Sequence, residues 1–195
     1  MAAGNLSFMK TTLIPTALEG VVVIEIDFPR DERGFFIESY HKRGLAELGL
    51  ELEFVQDNHS RSRAGVLRGL HYQDLSAPMA KLVRCTRGAV FDVAVDLRVG
   101  APTFGQWVGV ELTEDNQRQL LVPVGFAHGF VALAEVTDIQ YKCTNYYAPA
   151  AEGAVAWNDP EIGVRWPVAE PLLSARDRQA GSLRAYQGQP AFHYG

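Results

Sequence analysis

The feature that most constrains this chain is a train of short β-type runs, broken by turn signals at intervals of roughly ten residues. Val21-Val22-Val23-Ile24-Glu25-Ile26-Asp27-Phe28 begins as an apolar run and then alternates. Phe91–Arg98 alternates too, with Phe91, Val93, Val95 and Leu97 predicted on one face. Further β-rich runs are Lys81–Cys85, Trp107–Leu112, Gln119–Val122, Phe130–Ala134 and Asp138–Thr144. Between them fall Arg87-Gly88, Val99-Gly100-Ala101-Pro102, Glu114-Asp115-Asn116 and Pro123-Val124-Gly125, each a turn signal. Strands so spaced predict an antiparallel sandwich or barrel. Helical pattern is confined to His41–Leu48 and to Ala175–Ala185, the latter a predicted surface helix. The expected organisation is one all-β domain over residues 1–195, with a looser C-terminal tail from about residue 180.

Composition narrows the partners. A chain of 195 residues buries about 70% of its extendable surface and builds a core without metal or disulfide staples. Its 18 basic and 23 acidic residues give a net charge of −5, which disfavours nucleic acid and anionic membranes as main partners. No run of about 18 apolar residues is present, so no membrane span is expected. Met1–Lys10 lacks a basic start followed by an apolar stretch, so no secretory leader is expected. Cys85 and Cys143 stand far apart with no CxxC, which reads as two reduced thiols in a cytoplasmic protein. Only four of the basic residues are lysines.

Several chemistries lack their parts. GxGxxG, GxxxxGK[ST], GxSxG and HExxH are all absent. A metal-binding β-barrel usually carries two histidines one residue apart, whereas His71 is followed by Tyr72 and Gln73, and His128 by Gly129 and Phe130. No metal is expected. Polar chemistry concentrates instead in the segment Gln56–Gln73, where amide, carboxylate, guanidinium and imidazole groups are interleaved with Gly65, Gly69 and Leu70. A solvated polar hairpin is the plain reading, but such a hairpin has no need of those glycines. Strand parity puts Gly69, His71 and Gln73 on one face and Arg68 and Tyr72 on the other. Arg68 and His71 serve one site only if Gly69 marks a bulge or bend. Two smaller concentrations are Val122–Phe130, with glycines on both sides of His128, and Tyr141–Tyr147, where Tyr141, Cys143 and Asn145 share a face. Lys81, between Ala80 and Leu82 in a predicted strand, is a candidate semi-buried cation.

Taken in order, these segments resemble the dTDP-4-dehydrorhamnose 3,5-epimerase family of nucleotide-sugar epimerases. The matching stretches are Asp31-Glu32-Arg33-Gly34-Phe35-Phe36-Ile37-Glu38, Gln56–Gln73, Lys81-Leu82-Val83-Arg84, Phe91–Arg98, Pro123–Phe130, Tyr141–Tyr147 and Trp157-Asn158-Asp159-Pro160, covering about residues 12–180. Any one of them is weak; the ordered set is specific. The resemblance implies an all-β, cupin-like jelly-roll barrel with a few short helices, no cofactor, and a homodimer in which the Arg33–Glu38 strand crosses between subunits. It implies His71 as general base, Asp177 as the carboxylate that orients it, Tyr141 as general acid and Lys81 as the cation that stabilises an enolate. Arg33, Arg68 and Arg176 resemble pyrophosphate-binding positions, and Tyr147 resembles the ring that stacks on thymine. Glu38, Gln56, Asp57, Asn58, His128 and Glu152 resemble other nucleotide or sugar contacts.

The implied substrate makes those types sensible. A dTDP-4-keto-6-deoxyhexose has acidified C–H bonds at C3 and C5, both next to the ketone. Inversion needs a base on one face of the ring and an acid on the other. The ketone is already present and no hydride moves. Asp74-Leu75-Ser76-Ala77-Pro78-Met79-Ala80 is less polar than is usual before the family's lysine, and is expected to reshape the sugar pocket. Inversion of C3 alone or C5 alone stays open, as do a nucleotide-sugar-binding cupin without turnover and a metal-dependent cupin.

Overall fold

The computed structural model describes residues 9–195; residues 1–8, over which no secretory leader was expected, lie outside the described residues. In chain order the strands are β1 (Thr11–Pro15), β2 (Val22–Ile26), β3 (Arg30–Asp31), β4 (Gly34–Phe35), β5 (Gln56–Ser62), β6 (Leu67–Gln73), β7 (Lys81–Arg87), β8 (Ala89–Asp96), β9 (Trp107–Thr113), β10 (Gln119–Val122), β11 (Phe126–Ala132), β12 (Thr137–Cys143) and β13 (Glu152–Ala154). Helices are few and short: α1 (Lys42–Glu47), α2 (Ala175–Arg178) and α3 (Leu183–Gly188), with one 3₁₀ turn at Pro149–Ala151. None of the described helices is long and apolar enough to cross a membrane.

Two antiparallel sheets form, in the orders β1-β2-β10-β7-β12-β5 and β13-β6-β11-β8-β9, with β3 and β4 as a separate ribbon. Three apolar layers follow from alternation within the strands. Between the sheets lie Val83, Cys85, Ile139, Val90, Ala94, Leu120 and Phe130. Behind the first sheet, Ile24, Leu82 and Leu121 pack with Leu45 of α1 and with Tyr40 and Phe54. Behind the second, Val93, Val95 and Leu97 pack with Val155, Ile162, Leu183, Tyr186 and Phe192. Strand β8 is therefore buried on both faces; the predicted Phe91-Val93-Val95-Leu97 face is real, and Val90 and Ala94 share the other with Asp92 and Asp96. This is the expected all-β, cupin-like sandwich with a few short helices.

Two expectations are corrected. The chain beyond residue 180 is not loose: Leu183, Tyr186 and Phe192 are buried, and the Tyr186 hydroxyl donates to the Leu97 carbonyl (2.8 Å) and accepts from the Phe192 amide (3.1 Å). Those apolar residues cover the back of the second sheet, which would otherwise be exposed. The single helix expected over Ala175–Ala185 is two helices. Ser174 and Ser182 each cap an N-terminus with the side-chain oxygen, and the second cap starts a new helix.

Candidate active site

One wall of the site comes from β5, β12 and β7. Their register sets Cys143 opposite Lys81 and Gln56, and Tyr141 opposite Val83 and Asn58. With a side-chain period of two, both rows point between the sheets. Asn58 Nδ2 donates to Cys143 Sγ (3.6 Å), and Gln56 Nε2 donates to Asn58 Oδ1 (3.1 Å). Burial pushes the Tyr141 phenol up, so it holds its proton at neutral pH. Burial also lowers Lys81, against the pull of nearby Cys143, Glu152 and Asp92. Ser60 Oγ is buried in the same wall with no partner among the described residues.

The facing wall comes from β6, β11 and β8. His71 and His128 are directly opposed across β6 and β11. Arg68 and His71 reach the same cleft because the register shifts between His128 and Phe130, beside Gly69. Gly69 has φ +136°, and a Cβ there would lie 2.5 Å from Gly129 Cα, so only glycine fits. The bend that parity demanded is present.

His71 Nε2 lies 2.6 Å from Asp177 Oδ1. Ser174 Oγ donates to Asp177 Oδ2 (2.8 Å) and accepts from the Asp177 amide (3.1 Å), so the cap of α2 also fixes the carboxylate. Burial pushes Asp177 up, but the hydrogen bonds from His71 and Ser174 outweigh it and its pKa is lowered. For His71 burial wins over the Asp177 bond, and its pKa falls below the usual value. Asp177 is thus ionised and accepts only, so Nε2 carries the imidazole proton and Nδ1 keeps a lone pair. His128 forms a second such pair, with Nε2 2.9 Å from Asp92 Oδ1, both residues being buried.

Between the walls is a cleft of about 620 Å³, large enough for a nucleotide-sized ligand. Its rim holds Tyr147, Glu152 and Arg176. The Tyr147 hydroxyl donates to Glu152 Oε2 (2.7 Å), and Arg176 Nη1 donates to the same oxygen (2.5 Å). That bond to Glu152 raises the Tyr147 phenol. Arg68 is tethered to β5 through Ser62 Oγ (3.2 Å) and the Arg61 carbonyl (3.3 Å).

Of the expected residues, His71, Tyr141, Lys81, Gln56, Asn58, Arg68, His128, Tyr147, Glu152, Arg176 and Asp177 come together on this cleft. Three do not. Asp57 alternates to the outer face of β5, where it pairs with Lys142 (2.9 Å) beside a separate cleft of about 230 Å³. Arg33 stands 84% exposed, paired with Asp31 next to the β3–β4 ribbon, and Glu38 lines a small hollow behind the first sheet. None of Asp74–Ala80 lines the cleft. Sequence reasoning missed Asp92, Ser174 and Ser60. The signal for Ser174 was its place three residues before Asp177, the spacing of an N-cap. Asp92 could have been flagged as an acid in the middle of a strand whose other residues, save Asp96 at its end, are apolar.

A family model described as dTDP-4-dehydrorhamnose 3,5-epimerase matches residues 15–185. The chain is 54% identical over 173 residues to the dTDP-4-dehydrorhamnose 3,5-epimerase of Salmonella typhimurium, spanning 88% of this chain and 94% of that one. It superposes with TM-score 0.91 and 45% identity on the dTDP-6-deoxy-D-glucose-3,5-epimerase of Legionella pneumophila in complex with dTDP-4-keto-L-rhamnose, covering 95% of this chain and 100% of the other. A 3′-monoepimerase from Streptomyces bikiniensis in complex with dTDP-quinovose is also similar, at TM-score 0.87 and 34% identity over 92% and 91% of the two chains. With the family model spanning most of its length and relatives near half-identical throughout, this chain belongs to the dTDP-4-dehydrorhamnose 3,5-epimerase family.

Proposed function

We propose that the protein inverts C3 and C5 of a dTDP-linked 4-keto-6-deoxyhexose, turning dTDP-4-dehydro-6-deoxyglucose into dTDP-4-dehydro-L-rhamnose. The observation that carries the reading is the 2.6 Å His71–Asp177 pair on one wall of a cleft whose other wall holds Tyr141 and Lys81. His71 Nδ1 takes the proton from the carbon next to the ketone, and the resulting charge spreads onto the ketone oxygen as an enolate. Lys81 stabilises that oxygen; a preorganised donor of this kind contributes about 3–4 kcal/mol. Tyr141 then gives its phenolic proton to the opposite face of the same carbon, which inverts it. Arg68 and Arg176 hold the pyrophosphate with planar forks suited to paired oxygens. Tyr147 stacks on the thymine, and Gln56, Asn58, His128 and Glu152 complete the nucleotide and sugar contacts.

The enzyme acts as a homodimer that exchanges the Arg33–Glu38 strand. Support comes from β5, which is an edge strand of the six-stranded sheet and runs beside the cleft, and from Phe35 and Phe36, both exposed. A strand from a second copy added along β5 would bring that copy's Arg33 and Glu38 to this cleft. Both cysteines are free and buried, which suits a reducing cytoplasm.

The test is proton exchange followed by NMR in deuterated water with the 4-keto-6-deoxyglucose nucleotide. Deuterium is expected at both C3 and C5. Uptake at C3 alone would make this a mono-epimerase like the Streptomyces bikiniensis relative, and tight binding without uptake would leave a binding protein.

A further inference from the structure

Tyr147 stands on backbone that belongs to no strand or helix and is half exposed. Its position is set from outside the loop, by two glutamine side chains. Gln56 Oε1, from β5, accepts the Tyr147 amide (3.0 Å). Gln73, the last residue of β6, spans the peptide groups on either side. Its Oε1 accepts the Ala148 amide (2.8 Å), and its Nε2 donates to the Tyr146 carbonyl (3.2 Å) and to the Ala77 carbonyl (2.8 Å). Gln73 is buried, lies opposite Glu152 in the β6–β13 register, and does not line the cleft.

We propose that Gln73 is a positioning residue for nucleotide binding: its amide fastens the Tyr147 loop to the Asp74–Ala80 loop and so presents the Tyr147 ring at the cleft rim. A buried primary amide offers two donors and two acceptor sites, and three of these four are used on backbone groups of two loops. Such a clamp costs little conformational freedom when ligand arrives, because the loop is already ordered. The less polar segment Asp74–Ala80 thereby acts on the nucleotide end of the site, through the Ala77 carbonyl. The proposal rests on Tyr147 meeting the base of the nucleotide, and the experiment separates the two ideas.

Calorimetry with dTDP on the full chain compares wild type, Gln73→Met, Tyr147→Ala and the double variant. Gln73→Met keeps the length of the side chain and removes the amide. It is expected to weaken dTDP roughly five- to thirty-fold, the value of one or two net hydrogen bonds. KM should rise to match while kcat stays within about twofold, and in the Tyr147→Ala background the same substitution should cost less than about twofold. Wild-type affinity in Gln73→Met, an equal loss in kcat, or full additivity with Tyr147→Ala would overturn the proposal. If Tyr147→Ala alone binds dTDP normally, the base-stacking role fails instead. Should Gln73→Met not fold, Gln73→Asn keeps the amide but withdraws it by one methylene, and is judged by the same outcomes.

Discussion

His71 and Asp177 show how much one contact decides. The imidazole is held below its ordinary value of 6.5 by burial, and the carboxyl is held below 3.8 by its partners. The base is therefore mostly neutral at pH 7, and the acid limb of kcat/KM should be centred below pH 6.5. Folding stability follows the same sign. Unfolded histidine takes up a proton below 6.5 while folded His71 does not, so stability falls as pH drops from 6.5 toward the folded value. Below 3.8 the loss of the Asp177 bonds adds a second decline. Asp177→Asn frees Nε2 from its tautomer and removes the charge that supports the imidazolium. We expect it to lower kcat by about 10²–10⁴-fold with little change in dTDP affinity. Isotope exchange at the wild-type rate in that variant would remove Asp177 from the mechanism. The types and the order of these residues were legible in the sequence. Their pairing came only through the family resemblance, because a contact between positions 71 and 177 depends on where α2 lands, and no local pattern encodes that.

Strand β6 departs from simple alternation. Alternation alone sets Arg68 and His71 on opposite faces, and the presence of Gly69 hints at an exception without giving its form. The structure supplies the form: a register shift against β11, with Gly69 and Gly129 in backbone-to-backbone contact. Ala at position 69 meets both a φ of +136° and the 2.5 Å approach to Gly129 Cα. We expect Gly69→Ala to cost about 2–4 kcal/mol in urea denaturation and to abolish turnover by moving Arg68 or His71 off the cleft. A variant with wild-type stability would mean that the shift is not set by this glycine. Elsewhere, strand positions were readable because apolar alternation is local. The last two helices read as one in the sequence because Ser182 is an ordinary polar residue there; in the fold its oxygen accepts the Ala185 amide and starts α3. The same blindness made the final segment look loose, although Tyr186 and Phe192 are the kind of residues that cover a sheet.

The proposed dimer makes a claim about Arg33: that it serves the cleft of a second copy. It lies far out on an exposed ribbon, away from the cleft that its type suits. Subunit complementation answers this. Arg33→Ala and His71→Ala chains, each expected to be inactive alone, are mixed after dissociation. If the arginine acts across the interface, random pairing restores about a quarter of the sites, since half the dimers are mixed and each holds one intact site. No recovery would place Arg33 in its own subunit's site.

Among the described residues the cleft wall of one chain offers Arg68, Lys81 and Arg176 against Glu152 and Asp177, a surplus of one positive charge. The pyrophosphate of the ligand brings two negative ones. In the proposed dimer, Arg33 of a second copy would bring a further cation to the cleft across the open edge of β5. Under that proposal, substrate affinity becomes a gauge of protein concentration. Dilution below the dimer dissociation constant should raise KM and lower turnover per chain together, both recovering on reconcentration.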